Sequence, residues 1–172
     1  MTPLVPRPAA TLILAREGAQ GIEVFLLRRS DEAAFGGGAY VFPGGGLDAS
    51  DQDQAWAAHC AGIDDATASH MLKLGHGGLA YWIAAVRECF EEAGLLLAYD
   101  GSGRMLALDD PDTVREFAAL REQLIAGRLG LAALSLFDVA ALTYDAYLTE
   151  QLRQQAKGTR GSLTEREELD RR

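Results

Sequence analysis

Long apolar runs are missing from this 172-residue chain: none reaches the roughly 18–20 residues needed to span a bilayer. Cysteine is scarce as well. Cys60 and Cys89 are too few for a disulfide framework, and Cys89, in an apolar helical stretch, is expected to be a buried free thiol. Basic charge is in deficit, with 16 Lys+Arg against 25 Asp+Glu and a formal net charge of −9. A nucleic-acid polymer is therefore a poor partner, because binding its backbone needs a basic face. A small anionic substrate is still admissible, since a bound divalent cation inverts the local field. The N-terminal Met1-Thr2-Pro3-Leu4-Val5-Pro6-Arg7-Pro8 lacks the basic-then-apolar order of a secretory signal. Leu169-Asp170-Arg171-Arg172 carries no receptor-read address. A cytoplasmic protein is the expectation.

What is present suits a globular domain. Apolar residues make up 48% and charged residues 24%, ordinary proportions for a folded chain. The length predicts one domain, placed at residues 1–157, with a charged flexible tail at 158–172. Residues 9–17 and 22–29 read as short strands around a tight connection, Gly18-Ala19-Gln20-Gly21. Gly36-Gly37-Gly38 leads to a strand at Ala39-Tyr40-Val41-Phe42, which Pro43-Gly44-Gly45-Gly46 is expected to break. One or two modest helices follow over residues 51–74, with Gly75-His76-Gly77-Gly78 as the stop.

The clearest helix is 79–93, closed by Gly94. A hairpin is indicated at Leu95–Tyr99 and Arg104–Leu108. Asp110-Pro111-Asp112 opens a further helix ending near Ala126 and Gly127. Residues 131–157 read as helical, with Leu134–Thr143 as an alternative strand. The fold class is α/β or α+β.

Helix 79–93 carries the chemistry. At about 100° per residue, Glu91 and Glu92 fall within about 60° of Glu88. Three carboxylates at i, i+3 and i+4 share one face. Leu79, Trp82, Ile83, Val86, Phe90 and Ala93 form a core stripe opposite. Like charges this close repel, and a hard divalent cation, Mg²⁺ or Mn²⁺, neutralises such an oxygen cluster well. A merely solvated acidic face is the competing interpretation. His59, His70 and His76 lack metal-ligand spacing and are expected at the surface. Gly36-Gly37-Gly38 is open to two readings, a phosphate cradle or a mobile loop.

Arg87-Glu88-Cys89-Phe90-Glu91-Glu92-Ala93-Gly94-Leu95 resembles the second half of the Nudix box, R-E-U-x-E-E-x-G-U, where U is apolar. The opening of the box is displaced upstream. Phe42-Pro43-Gly44-Gly45-Gly46 matches its start, Gly45 fits its glycine, and Asp51 stands where the family has Glu. Gln52–Val86 is far longer than the usual spacing, which places a helical insertion at residues 52–78. A split box of this kind is similar to the branch that includes the mammalian peroxisomal coenzyme A diphosphatases. The coenzyme A-type pattern before the box finds Arg29, Ser30 and Gly38 in place but departs at Leu27 and Ala34. After the box, the Trp-x-Thr-Pro and Arg-x-Asp-Thr-x-Phe-Phe segments of that branch are absent, so the resemblance covers residues 9–127.

The resemblance implies a Nudix-type α/β/α sandwich with a mixed sheet, its C-terminal part truncated or helical. It implies a pyrophosphatase: a hydrolase that cuts the pyrophosphate bond of a nucleoside diphosphate linked to another moiety. Coenzyme A or an acyl-CoA is the leading substrate, with ADP-ribose and dinucleotides as alternatives and a catalytically impaired binding module as another. Glu88, Glu91, Glu92 and the Gly45 carbonyl would hold Mg²⁺ or Mn²⁺. Arg87 would pair with a carboxylate and orient the cluster. Glu88 is the choice for general base, with Arg87 and Glu91 also counted as catalytic. Arg29 and Gly44 would meet substrate, and Asp51 would act behind the ligands or through a water. An unfinished sheet edge would favour a homodimer.

Overall fold

A computed structural model describes residues 6–33, 36–100, 102–106, 110–128 and 138–140. The expected tail at 158–172 and most of 131–157 lie outside the described residues. Among those described, strands and helices interleave in an α+β arrangement, and no helix is long and apolar enough to cross a membrane.

Strands β1 (Ala9–Thr11), β2 (Ala15–Gly18), β3 (Gly21–Val24) and β4 (Leu27–Arg28) divide the two apolar runs into shorter pieces. Strands β2 and β3 form an antiparallel hairpin in which Gly18 pairs with Gly21 across a two-residue loop. Gly21 has φ +127°, a conformation open to glycine and strained for other residues. Strand β4 pairs with β5 (Tyr40–Val41). In the connection between them, an added Cβ at Gly37 would lie 2.5 Å from the Asp31 carbonyl oxygen, and one at Gly38 would lie 2.7 Å from Asp31 Oδ1. Close packing on Asp31 therefore accounts for two of these three glycines.

Strand β5 ends before Pro43, as expected, but the glycines after it do more than break a strand. Gly44–Gly46 forms strand β6, antiparallel to β1, with Thr11 opposite Gly44 and Ala10 opposite Gly45. Glycine weakens a strand by local preference, but this one is pressed between two neighbours. A Cβ at Gly44 would meet the Ala10 carbonyl oxygen at 2.5 Å and Thr11 Cα at 2.7 Å. Only a bare backbone fits.

The insertion is also less helical than expected. A 3-10 turn at Ala49–Gln52 leads into it, and it holds a second 3-10 turn, Gln54–Ala58, and strand β7 (Cys60–Ala61) before helix α1 (Asp65–Leu72). Strand β8 (Ala98–Tyr99) and strand β9 (Asp138–Ala140) join β7 in a mixed sheet of order β7-β9-β8, with β9 parallel to β7 and antiparallel to β8. Residues 138–140 thus take the strand alternative and not the helical reading. Pairing on both sides supplies the reason, since the central position satisfies backbone groups that a helix would otherwise pair internally.

Helix α2 (Leu79–Ala93) holds the core together. Ile83, Val86, Cys89 and Phe90 are almost completely buried, and Leu79 nearly so. Burying a side chain the size of Ile83 or Phe90 contributes about 2–3 kcal/mol. The Cys89 thiol is free, and burial pushes its pKa up to about 12. Gly94, at φ +71°, ends the helix in the left-handed conformation. Helix α3 (Pro111–Ile125) is capped by Asp110, which accepts from Thr113 N at 2.7 Å. It packs on α2 through an edge-on contact between Phe117 and Phe90.

The N-terminus of α2 starts at Gly78, which has no side chain to cap it, so α1 supplies the acceptors. Asp65 accepts from Leu79 N and Gly77 N at 3.0 Å each, and Ser69 Oγ accepts from Gly78 N at 2.8 Å. These backbone donors hold the Asp65 carboxyl below its ordinary pKa, and its negative charge suits the positive end of the helix. A Cβ on Gly78 would lie 2.2 Å from Ser69 N, so the cap depends on this glycine. Gly78→Ala is expected to cost about 2 kcal/mol and to lower the Tm by roughly 5 °C. Gly75→Ala, with nothing near its Cβ, is expected to stay within about 0.5 kcal/mol of the parent. Thermal and denaturant unfolding of the two variants checks this.

Candidate active site

The site is assembled around Arg87, a buried residue in the second half of α2. Its Nε and Nη2 donate to the two oxygens of Asp51 at 3.0 Å each. Nη2 also donates to the Gly46 carbonyl at 2.8 Å, and Nη1 donates to Glu88 Oε1 at 3.0 Å and Glu91 Oε2 at 3.2 Å. A guanidinium has five N–H donors in a fixed fork, and this set of partners occupies all of them. Lysine has neither the number nor the planar geometry to replace it.

Asp51 reaches Arg87 from the 3-10 turn that follows β6. Its side chain is 1% exposed, and its Oδ2 also accepts from Asp48 N at 2.8 Å. The shorter carboxylate thus makes a direct two-point bond to the arginine. Asp48 Oδ2 lies 3.8 Å from Nη1, a position with no signal in the residue pattern. The consequence is mechanical: β6, the turn after it and α2 all meet at one cation.

Glu88 and Glu92 complete the contact with the glycine strand. A Cβ on Gly45 would fall 2.3 Å from Glu88 Oε1 and 2.7 Å from Oε2, so the carboxylate rests on bare backbone. Gly44 N donates to Glu92 Oε2 at 3.0 Å. Burial holds both Glu88 and Glu91 above the ordinary carboxylate pKa. Arg87 opposes that rise in both cases. The charges of Glu91 and Glu92 add to it at Glu88, and those of Asp48 and Asp51 add to it at Glu91. At Arg87, burial alone would disfavour the charge, but the bond to Asp51 and the nearby carboxylates outweigh burial and raise its pKa.

The structure therefore brings Arg87, Glu88, Glu91, Glu92, Asp51, Gly44 and Gly45 into one cluster. Arg29 is not tied into it by any of these bonds. It is exposed, and its backbone exchanges hydrogen bonds with Ala39 and Gly38 where the β4–β5 connection closes. Arg121, from α3, was missed by sequence reasoning. Its guanidinium donates to the carbonyls of Glu91 at 2.9 and 2.6 Å and of Glu92 at 3.1 Å. No local motif marks it, because its partners are about thirty residues away.

A divalent metal suits this chemistry. Asp48, Asp51, Glu88 and Glu91 bring four carboxylates around the single Arg87 guanidinium, Glu92 follows on the same helix with Gly44 N on its Oε2, and the donors are all hard oxygens. Among the described residues, no group of three His, Cys, Asp or Glu side chains already stands in ligating arrangement. Arg87 and Gly44 N occupy oxygens of the three glutamates. A cavity of about 370 Å³ runs beside the same helix, lined by Ala9, Ala10, Leu12, Leu72, Trp82 and Ala85 among others. By helical spacing, Ala85 lies within about 60° of Glu88, one turn earlier.

The chain resembles Nudix hydrolases of the coenzyme A diphosphatase kind. The acyl-coenzyme A diphosphatase NUDT19 of Homo sapiens is 36% identical over an alignment covering 46% of this chain and 27% of that protein. Its namesake from Xenopus laevis is 33% identical, covering 44% and 25%. A NUDIX hydrolase from Alicyclobacillus acidocaldarius aligns structurally with a TM-score of 0.48 and 31% identity, over 75% of this chain and 51% of the other. No family profile matches the chain. It spans about a quarter of the length of the curated relatives it matches.

Two adjacent glycines separate stability from site geometry. Gly44→Ala collides with backbone of β1 and is expected to cost about 2 kcal/mol. Gly45→Ala meets the carboxylate end of the Glu88 side chain first. It should unfold within about 1 kcal/mol of the parent while displacing that carboxylate. Unfolding curves together with a crystal structure of Gly45→Ala check both statements.

Proposed function

We propose that this chain is a metal-dependent hydrolase that cleaves the pyrophosphate bond of a nucleoside diphosphate linked to another moiety, with coenzyme A or an acyl-CoA as substrate class. The observation that carries the reading is the Arg87 hub, which fixes Glu88 and Glu91 beside Glu92 and leaves the cluster with excess negative charge. The curated relatives' name, acyl-coenzyme A diphosphatase, supports the substrate class.

Glu88, Glu91, Glu92 and the Gly45 carbonyl would hold Mg²⁺ or Mn²⁺. A divalent ion bound there neutralises phosphate charge, orients the diphosphate and lowers the pKa of water. Arg87 keeps the carboxylates from splaying apart, and Asp51 keeps Arg87 in place. Glu88 is the proposed proton acceptor. Burial has already raised its affinity for a proton, and Arg87 Nη1 holds Oε1, leaving Oε2 as the atom to receive it. The apolar wall beside Ala85 offers room for the arm of the substrate that is not the nucleotide. Arg29, with Gly44, is proposed to contact the substrate.

The test is a product-mass assay with coenzyme A, acetyl-coenzyme A, ADP-ribose and NADH, in Mg²⁺ or Mn²⁺ and with an EDTA control. Release of 3′,5′-ADP and 4′-phosphopantetheine that EDTA abolishes is the expected result. Glu88→Gln should lower kcat by roughly 100-fold or more while the protein remains folded. Turnover of ADP-ribose or NADH alone would overturn the substrate class. Silence on all four from folded protein would favour a binding module.

A further inference from the structure

We propose that Arg121 is a positioning residue for the carboxylate cluster, acting through the backbone of Glu91 and Glu92. The inference rests on the metal-binding reading above. The last carbonyls of a helix have no partner within it and carry its partial negative charge. Helix α2 has no basic side chain in its own last turn. Arg121 fills that place from α3, with Nε and Nη2 on the Glu91 carbonyl and Nη2 also on the Glu92 carbonyl. The α3 helix that carries it is anchored one turn away, where Phe117 packs on Phe90.

The two residues whose carbonyls it grips also present two of the three glutamate side chains. Arg87 holds this segment at the side-chain level, through Glu91 Oε2. Arg121 holds it at the main-chain level. Together they fix both the Cα positions and the directions from which the carboxylates leave the helix, so losing Arg121 frees Glu91 and Glu92 to drift with a fraying last turn. The other end of α2 provides the comparison. Asp65 ties that end down as well, through Leu79 N and Gly77 N, but nine residues before Glu88.

The experiment measures Mn²⁺ binding to the full chain without substrate, from the electron paramagnetic resonance signal of free Mn²⁺. It compares the parent with Arg121→Gln, Arg121→Lys and Asp65→Ala, alongside the Tm of each. Arg121→Gln is expected to weaken Mn²⁺ binding about 10-fold, the lower end of what losing a residue that supports ligands costs. Arg121→Lys, with one ammonium in place of the fork, should fall between parent and Arg121→Gln. It also serves as the test variant if the glutamine form does not fold. Asp65→Ala should lower the Tm comparably yet leave Mn²⁺ affinity within about 2-fold. Unchanged affinity in the Arg121 variants overturns the proposal, as does an equal loss in Asp65→Ala, which would make both residues simple helix clamps. If the parent itself binds no Mn²⁺, the metal-binding reading falls, and the Arg121 proposal with it.

Discussion

A single buried cation, the Arg87 guanidinium, organises everything around it. Its two-point bond with Asp51 joins a turn to a helix across thirty-six residues of sequence. Its remaining donors reach the glycine strand and two glutamates. Burying an ion pair is not in itself a net source of stability, since desolvation offsets most of the attraction. Its effect is on geometry. With every donor used, only one placement of β6 against α2 satisfies the guanidinium, and that placement sets Glu88 on the bare backbone of Gly45.

The glycines and the insertion follow from the same constraint. Gly45 must lack a side chain for Glu88 to approach, and Gly44 must lack one for β6 to pack on β1. Helix α2 is also held from outside. Both of its ends are pinned by groups from other elements, Asp65 and Ser69 at the start and Arg121 at the finish. The charges suit the helix, negative at its N-terminus and positive at its C-terminus. In this arrangement the insertion serves as the seat of the helix that carries the acidic cluster. Its strand β7 also pairs with β9 from the far end of the described chain.

Much of this was legible in the residues. The apolar stripe of α2 and Gly94 at its end defined that helix, the Gly18–Gly21 connection defined the hairpin, and Asp110-Pro111 opened α3. Glu88, Glu91 and Glu92 could be placed on one face from spacing alone. Strand β6 was not legible, because glycines following a proline are a local turn signal, and the contacts that demand them lie on Thr11 and Glu88. Strand β7 has two residues, too short for any periodicity to show, and β9 was legible only as the strand alternative at Leu134–Thr143. Arg121 and Asp65 were missed for a different reason. Each acts on backbone groups of another helix, and a side chain's reach toward a distant main chain leaves no pattern around it. Asp51 was seen as a substitution for Glu, but its direct fork with Arg87 depends on how closely the 3-10 turn packs on α2.

The claim at the centre is that the Asp51–Arg87 fork holds these elements in register. Equilibrium denaturation of Asp51→Asn, without added metal, tests it most directly, since the change keeps the side chain's size and removes its charge. The predicted result is a loss of about 3 kcal/mol with an unchanged denaturant slope. A loss below about 0.5 kcal/mol, the size of an ordinary surface substitution, would contradict the account and leave Glu88 and Glu91 as the partners that matter to Arg87.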